Sequence, residues 1–205
     1  KENLPTGTCL ILITPDSERT MCTFLGTAGK INENDIKESD IQNSKITFME
    51  GYLWDKGEPK KAFDKAIKNS NKVAMSLSDL FCVERHKNQF LELVKNKIDI
   101  TFANEQEILT LINAKSIEEV ITFAKQIKKH IVITRGANGS MAINSEKIYE
   151  CPAKSNLKIA GYNQEVAVSQ WGYLHGYIND LKTQDSLKQG TDLSSKIIQT
   201  IGARL

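Results

Sequence analysis

The sequence contains few of the residues on which several simple function classes depend. Its 205 residues include only four cysteines and three histidines, and no two cysteines have the Cys-x-x-Cys spacing. The pattern therefore predicts neither a zinc site nor a disulfide framework. We expect reduced thiols and a cytoplasmic protein.

An excess of one charge and a long apolar run are also lacking. The 27 basic and 25 acidic residues are mixed along the chain and leave a net charge of only +2. No apolar run approaches the ~18 to 20 residues that a membrane helix needs, and no signal peptide is recognisable. The lysine-rich stretches 56–61 and 125–129 are interpreted as solvated helix ends. We expect neither a nucleic-acid partner nor a membrane partner.

The hydrophobic pattern alternates between short β-rich segments and amphipathic helices. Strands are predicted at residues 8–14, 20–25, 45–50, 72–77, 98–102, 130–134, 140–143 and 147–150, and helices at 60–69, 83–95, 105–112, 117–128, 166–181 and 187–201. The first two strands predict a β-hairpin. Strands separated by helices favour right-handed crossovers, so the rest predicts an α/β layered fold with a mainly parallel sheet covered on both faces. We expect one domain over 1–205, because no repeat or linker divides it.

The most informative motif is TRGANG at residues 134–139, which follows the apolar strand 130–134. Glycine backbone at Gly136 and Gly139 can lie close to a flat or charged ligand, and the Thr134 hydroxyl can bind a phosphate oxygen. The alternative interpretation is a plain hairpin turn between two strands.

A second candidate, Asn104 with Glu107, follows the strand 98–102. Ligands in such sheets bind beyond the carboxyl ends of the strands, which is where both motifs are predicted to lie. The amide and the carboxylate could stand near a magnesium-bound phosphate. They also match a helix N-cap and its capping box, and this explanation is sufficient on its own.

With these two motifs in this order, the chain resembles the ribokinase-like (PfkB) family of sugar and nucleoside kinases, in its adenosine kinase-like branch. The similar segments are TGTCLILITPDSERTM (6–21), MEGYLWD (49–55), SLSDLFCVERHKNQF (76–90), ANEQE (103–107), VITRGANGS (132–140), YLHGYI (173–178) and IGAR (201–204). The resemblance implies a ribokinase-like fold in which the hairpin at 4–27 belongs to the lid over the sugar.

The resemblance also implies ligands. Asn104 and Glu107 match the family's NxxE motif, which helps to organise Mg²⁺ and phosphates, with Glu107 acting on the metal indirectly. Thr134, Gly136 and Gly139 match the turn that lies along ATP. Arg135 falls in a variable family position and is given no role. The expected ligands are thus ATP with Mg²⁺ and, in the complete family, a sugar or nucleoside.

The family's DTxGAGD signature is absent, and the segment in its place reads AGYNQEVAVSQW at 160–171. Gly161 stands in register with the first aspartate, Gln164, Glu165 and Val166 with the GAG, and Ala167 with the catalytic aspartate. Phosphoryl transfer needs bare backbone N–H groups to hold the phosphate charge and a carboxylate to accept a proton. Losing the base costs ~10²–10⁴ in rate and losing one anion-hole donor ~10²–10³. We expect at most trace kinase activity.

Two alternatives remain open. An active kinase could take its base from a complementing chain or from Glu165, although a shift of two positions turns a side chain roughly 200° around a helix. The chain could also be a non-catalytic interaction module. His175 is expected to be a packed helix residue, and Trp171 to fill the core or cover the site.

The chain begins at Lys1, whereas family members carry a further N-terminal portion with the first sheet strands, the rest of the lid and a sugar-binding aspartate. By analogy the chain is the C-terminal part of such a kinase. Its sheet would then have an unpaired apolar edge, so we expect a homo-oligomer or a partner that covers it. The phosphate acceptor is not predicted.

Overall fold

A computed structural model describes residues 4–15, 19–54, 57–159 and 165–200, and it confirms the α/β layered fold. The strands are β1 Thr8–Ile13, β2 Arg19–Phe24, β3 Thr47–Glu50, β4 Val73–Ser76, β5 Ile100–Asn104, β6 His130–Thr134, β7 Ser140–Ile143 and β8 Ile148–Cys151. The helices are α1 Glu38–Gln42, α2 Glu58–Asn69, α3 Leu80–Asn96, α4 Glu105–Ile112, α5 Ile117–Ile127, α6 Glu165–Ile178 and α7 Thr183–Ile197.

Strands β3 to β8 form one six-stranded sheet in sequence order. β3, β4, β5 and β6 are parallel, whereas β6–β7 and β7–β8 are antiparallel pairs. In the β5–β6 ladder Asn104 is paired with Thr134, and Thr134 is paired in turn with Ser140 of β7. The two motifs therefore lie side by side at the carboxyl ends of neighbouring strands.

The sheet separates two hydrophobic cores. Along β6, Ile131 and Ile133 face a core shared with α2, α3, α4 and α5, while Val132 faces a core shared with α6 and α7. This alternation follows from the two-residue period of a strand. Because both faces are covered, the three central residues of β6, Ile131, Val132 and Ile133, are all apolar, as is typical of a strand in the middle of a sheet.

The last two helices pack against each other through glycines. A Cβ atom on Gly172 would lie 2.8 Å from the Gly190 Cα, and one on Gly190 would lie 2.5 Å from the Ser169 carbonyl oxygen. This close approach holds α7 beside the carboxyl ends of the central strands. Residues on the outer side of the pair do not enter the core: Trp171 is 52% exposed and His175 is also exposed. The prediction that Trp171 fills the core was wrong, and its alternative, that Trp171 covers the site, stays a prediction. His175 is exposed rather than packed inside, although its Nδ1 lies 3.0 Å from the Gln189 amide nitrogen of α7.

Several boundaries differ from those predicted, because periodicity locates apolar faces rather than caps. α3 begins at Leu80, three residues before the predicted start, because the Asp79 carboxylate accepts a hydrogen bond from the Cys82 N–H at 2.6 Å. β5 extends to Asn104, two residues beyond its predicted end, so that Asn104 ends the strand and caps the next helix.

The β1–β2 hairpin is confirmed, with antiparallel pairing from Thr8 opposite Phe24 to Ile13 opposite Arg19. Every side chain of β1 is exposed. β3 forms one edge of the main sheet, and no described strand pairs with its outer side. The four cysteines are free. None of the helices described is long and apolar enough to cross a membrane.

The α6–α7 contact gives a stability prediction. We expect Gly190→Ala to lower the free energy of unfolding by about 1–3 kcal/mol, because the added methyl collides with the α6 backbone and this outweighs the higher helix propensity of alanine. Lys188→Ala, at an exposed position of the same helix, is the control and should change it by less than about 0.5 kcal/mol. Urea unfolding measures both, and equal midpoints for the two variants would contradict the packing described.

Candidate functional site

A cavity of about 540 Å³ opens at the carboxyl ends of β5 and β6. Four residues singled out in the sequence, Asn104, Thr134, Gly136 and Gly139, line one wall. The remaining lining residues come from the turn and the start of β7, from the segment after β8, and from α6, α7 and the residue that follows α7: Ala137, Ser140, Ala153, Lys154, Asn156, Leu157, Ile159, Ser169, Thr191, Ser194, Ser195 and Ile198. The volume is in the range of small-molecule and cofactor sites.

Asn104 and Glu107 form a complete capping box at the start of α4. The Asn104 side-chain oxygen accepts from the Glu107 N–H at 2.8 Å, and the Glu107 carboxylate accepts from the Asn104 backbone N–H at 2.9 Å and from its amide nitrogen at 2.7 Å. Glu107 is only 3% exposed. The capping interpretation is thus confirmed, and any role of these two residues toward a ligand stays a prediction.

Burial determines the charge of Glu107. Desolvation raises the pKa of its carboxyl to about 7, with a further increase from the nearby Asp79 and an opposing effect of the Asn104 backbone hydrogen bond. Both of its oxygens are engaged by Asn104, and Glu107 is not among the described residues that line the cavity. The Glu107 carboxylate is thus directed into the helix cap rather than into the cavity.

The TRGANG turn is both a hairpin and a cavity wall. β6 and β7 are antiparallel neighbours, so residues 134–139 do form the hairpin turn between two strands that was predicted as the alternative. Gly139 (φ +80°) is required by packing, since a Cβ there would collide with the Cys151 carbonyl oxygen. Gly136 (φ +55°) has nothing within 4 Å of where its Cβ would be. Packing therefore explains Gly139, whereas Gly136 faces open space at the cavity.

Hydroxyl groups that the sequence analysis missed lie on the opposite wall, formed by α7, and one of them joins it to Ser140 of β7. Ser140 and Thr191 share a hydrogen bond of 2.8 Å between their side-chain oxygens, and Thr191 also donates to the Leu187 carbonyl at 3.1 Å. Ser195 donates to the Thr191 carbonyl at 2.7 Å. Thr191, Ser194 and Ser195 have the i, i+3, i+4 spacing of one helix face, which was the available signal.

One charged side chain, Lys154, lies at the rim of the cavity. Of the lining residues in the described part of the chain, Lys154 alone is charged, and its amine lies 2.7 Å from the Asp192 carboxylate of α7. Both side chains are well exposed, so this ion pair contributes little to stability. It joins the segment after β8 to α7 at the rim of the cavity.

The cavity lining combines apolar and polar groups. Leu157, Ile159 and Ile198 give an apolar surface for a flat ring, and hydroxyls with one lysine give partners for polar and anionic groups. No group of three metal-ligating side chains occurs among the residues that the structure describes.

The wall formed by α6 lacks a proton acceptor where the family's aspartate is expected. Ala167 lies in the first turn of this helix, and its methyl group cannot accept a proton. Gly161 and Gln164, in register with the first aspartate and the first glycine of the family signature, lie outside the described residues. The helix itself is formed and packs on α7 despite the altered sequence.

Fold and cavity together define an α/β protein of ribokinase-like architecture. The family model described as pfkB family carbohydrate kinase matches residues 1–158 of the chain, which belongs to this family. The match ends two residues before the segment 160–171, in which the DTxGAGD signature is absent. None of the curated proteins matches the chain.

Solved structures agree with this assignment. Adenosine kinase from Sinorhizobium meliloti is 30% identical, with a TM-score of 0.93 over 98% of this chain and 63% of that one. A probable sugar kinase from Rhizobium etli CFN 42 is also 30% identical, with a TM-score of 0.92 and the same coverage. A putative ribokinase II from E. coli, 11% identical, shares the fold with a TM-score of 0.88 over 98% of this chain and 67% of its own. The chain thus spans less than two thirds of the length of the first two.

The buried Glu107 gives a prediction of pH dependence. Its folded-state pKa of about 7 lies above the ordinary value of 4.5 for a glutamate carboxyl, so its contribution to stability is fully present below pH 4.5 and is lost as pH rises through 7. We expect the difference in unfolding free energy between the wild type and Glu107→Gln to fall between about pH 4.5 and about pH 7 and to level off above. Gln106→Ala, an exposed neighbour, is the control. If the difference in unfolding free energy between the wild type and Glu107→Gln stayed constant with pH, the raised pKa of Glu107 would be contradicted.

Proposed function

We propose that this chain binds an adenine nucleotide, ATP or ADP, in the cavity at the carboxyl ends of β5 and β6. The observation that carries the proposal is the convergence of Asn104, Thr134, Gly136 and Gly139 on one cavity from two separate motifs. Membership of the pfkB family and likeness to an adenosine kinase structure support it.

The chemistry of the cavity gives the ligand an orientation. The apolar side chains Leu157, Ile159 and Ile198 suit the adenine ring. The oxygens of Thr191 and Ser195, whose protons go to helix carbonyls, suit the adenine amino group and the ribose hydroxyls as donors. The open turn at Gly136 and the ammonium of Lys154 suit the phosphates, because exposed backbone N–H groups and a cation both favour an anion. Mg²⁺ would reach the site with the phosphates, with Glu107 acting on it only through water.

We further propose that the chain transfers phosphate at most in traces. A base must stand within hydrogen-bond reach of the attacking hydroxyl, and Ala167 offers none at the family position. In the complete family the acceptor is a sugar or a nucleoside, and that class is the natural candidate here. The four free cysteines support a cytoplasmic location. The apolar, exposed side chains of β1 support a second copy or a partner that covers them.

Calorimetric titration with ADP and ATP tests nucleotide binding. We expect weak binding in the millimolar range or tighter, and loss of affinity by about tenfold or more in Gly136→Asp, because its carboxylate would face the phosphates. Gly136→Asn is the matched control: it has nearly the same size and tolerates positive φ equally, but carries no charge. Absence of any heat at millimolar nucleotide, or equal affinities for the two variants, would contradict the proposed site.

A coupled assay of ADP release tests the loss of phosphotransfer. Across a panel of sugars and nucleosides with ATP and Mg²⁺, we expect no acceptor-dependent turnover, since removal of a general base alone lowers rates by ~10²–10⁴. Turnover that requires an acceptor and disappears in Glu165→Gln would show instead that this carboxylate serves as a substitute base.

A further inference from the structure

Arg135 stands in the middle of the TRGANG turn, yet it is not among the described residues that line the cavity. Its guanidinium Nε lies 2.9 Å from the Glu105 carboxylate, and its Nη1 lies 3.6 Å from the Glu150 carboxylate. The side chain is only 19% exposed. An arginine beside a nucleotide-facing turn would ordinarily be taken for a phosphate ligand, but these contacts direct it toward protein carboxylates.

The two carboxylates belong to the elements that frame the cavity. Glu105 is the first residue of α4 and directly follows the cavity residue Asn104. Glu150 lies on β8, next to the Cys151 carbonyl on which Gly139 packs. The Arg135 side chain therefore contacts both α4 and β8.

The backbone of Arg135 also makes hydrogen bonds within the turn. Its backbone N–H donates to the Gly139 carbonyl at 2.8 Å, and its carbonyl accepts from the Asn138 N–H at 3.0 Å. It also lies close enough to Glu118 of α5 for the two charges to interact. With several carboxylates around it, the guanidinium is held electrostatically as well as by geometry, and the planar fork of arginine suits such pairing.

We propose that Arg135 is a positioning residue: its ion pairs with Glu105 and Glu150 hold the turn against α4 and β8, and so fix the position of Gly136 relative to Asn104 in the wall of the cavity that they share. The inference rests on the proposed nucleotide binding and goes further, because it gives a role to a residue in a variable family position. Small misplacements of binding groups have large effects on affinity when a site is pre-organised.

A double-mutant cycle separates positioning from direct phosphate contact. If Arg135 acts through Glu105, Arg135→Gln and Glu105→Gln each weaken ADP binding by about five- to tenfold, and the double variant is no weaker than either single variant. If Arg135 touched phosphate, Glu105→Gln would leave the arginine free to bind, and affinity would stay the same or rise.

Matched controls distinguish positioning from general destabilisation. Lys129→Gln breaks an ion pair with Asp99, of 3.6 Å and similar exposure, at the other end of the sheet, and it should leave ADP affinity unchanged. The charge-reversed pair Arg135→Glu with Glu105→Arg should recover part of the lost affinity. Thermal unfolding midpoints measured alongside show whether affinity changes follow stability; positioning predicts that they do not.

The outcomes are distinct. A wild-type chain without ADP affinity overturns the proposed function and this inference together. A wild type that binds ADP, with Arg135→Gln binding equally well, overturns only the inference. Weakening in Arg135→Gln but not in Glu105→Gln also overturns it, in favour of direct contact with the phosphate. If Arg135→Gln fails to fold, Glu105→Gln decides, because it retains the arginine: weaker ADP binding supports the inference, and equal or tighter binding overturns it.

Discussion

The parallel pairing of β5 with β6 is the constraint on which the candidate site depends. Its register places Asn104 opposite Thr134, so that a helix cap and a glycine turn, separated by two helices in the chain, meet at one end of the sheet. A slip of one residue would turn every side chain of β6 to the opposite face and break both cores. The apolar residues that fill those cores therefore also fix the geometry of the site.

The fold could largely be predicted from sequence, because α4, β6 and β7 have strong periodicity and clear caps, and their predicted and observed bounds agree. The wall formed by α7 could not. Its hydroxyls reach the cavity only because Gly172 and Gly190 let α6 and α7 approach closely, and that contact depends on two helices coming together in space. The partners of Arg135 could not be predicted from sequence either, because Glu105 lies 30 residues before it and Glu150 lies on β8, two strands after β6. Trp171 and His175 were predicted to be buried and are exposed, because the sequence of an apolar helix does not reveal which of its faces is buried.

Folding and phosphotransfer make separate demands on α6. Packing needs its small residues and the apolar side chains that face the sheet, including Tyr173 and Leu174, and these are present. At the position in its first turn where the family resemblance places the catalytic aspartate, the chain has Ala167. The architecture and the cavity therefore form without a carboxylate at that position. Glu107 illustrates a related point: its burial in the cap of α4 serves the fold, and it also keeps an acidic side chain out of the cavity.

Hydrogen exchange with and without ADP, followed by mass spectrometry, tests most directly whether the two walls enclose a nucleotide. Saturating ADP should slow exchange of backbone amides in residues 134–139 and 191–198 together, because one ligand would contact the glycine turn and α7 at once. Amides at the opposite end of the sheet, in residues 97–100, should exchange at an unchanged rate. Slowed exchange in one wall without the other, or no change in either, would contradict a single nucleotide cavity between them.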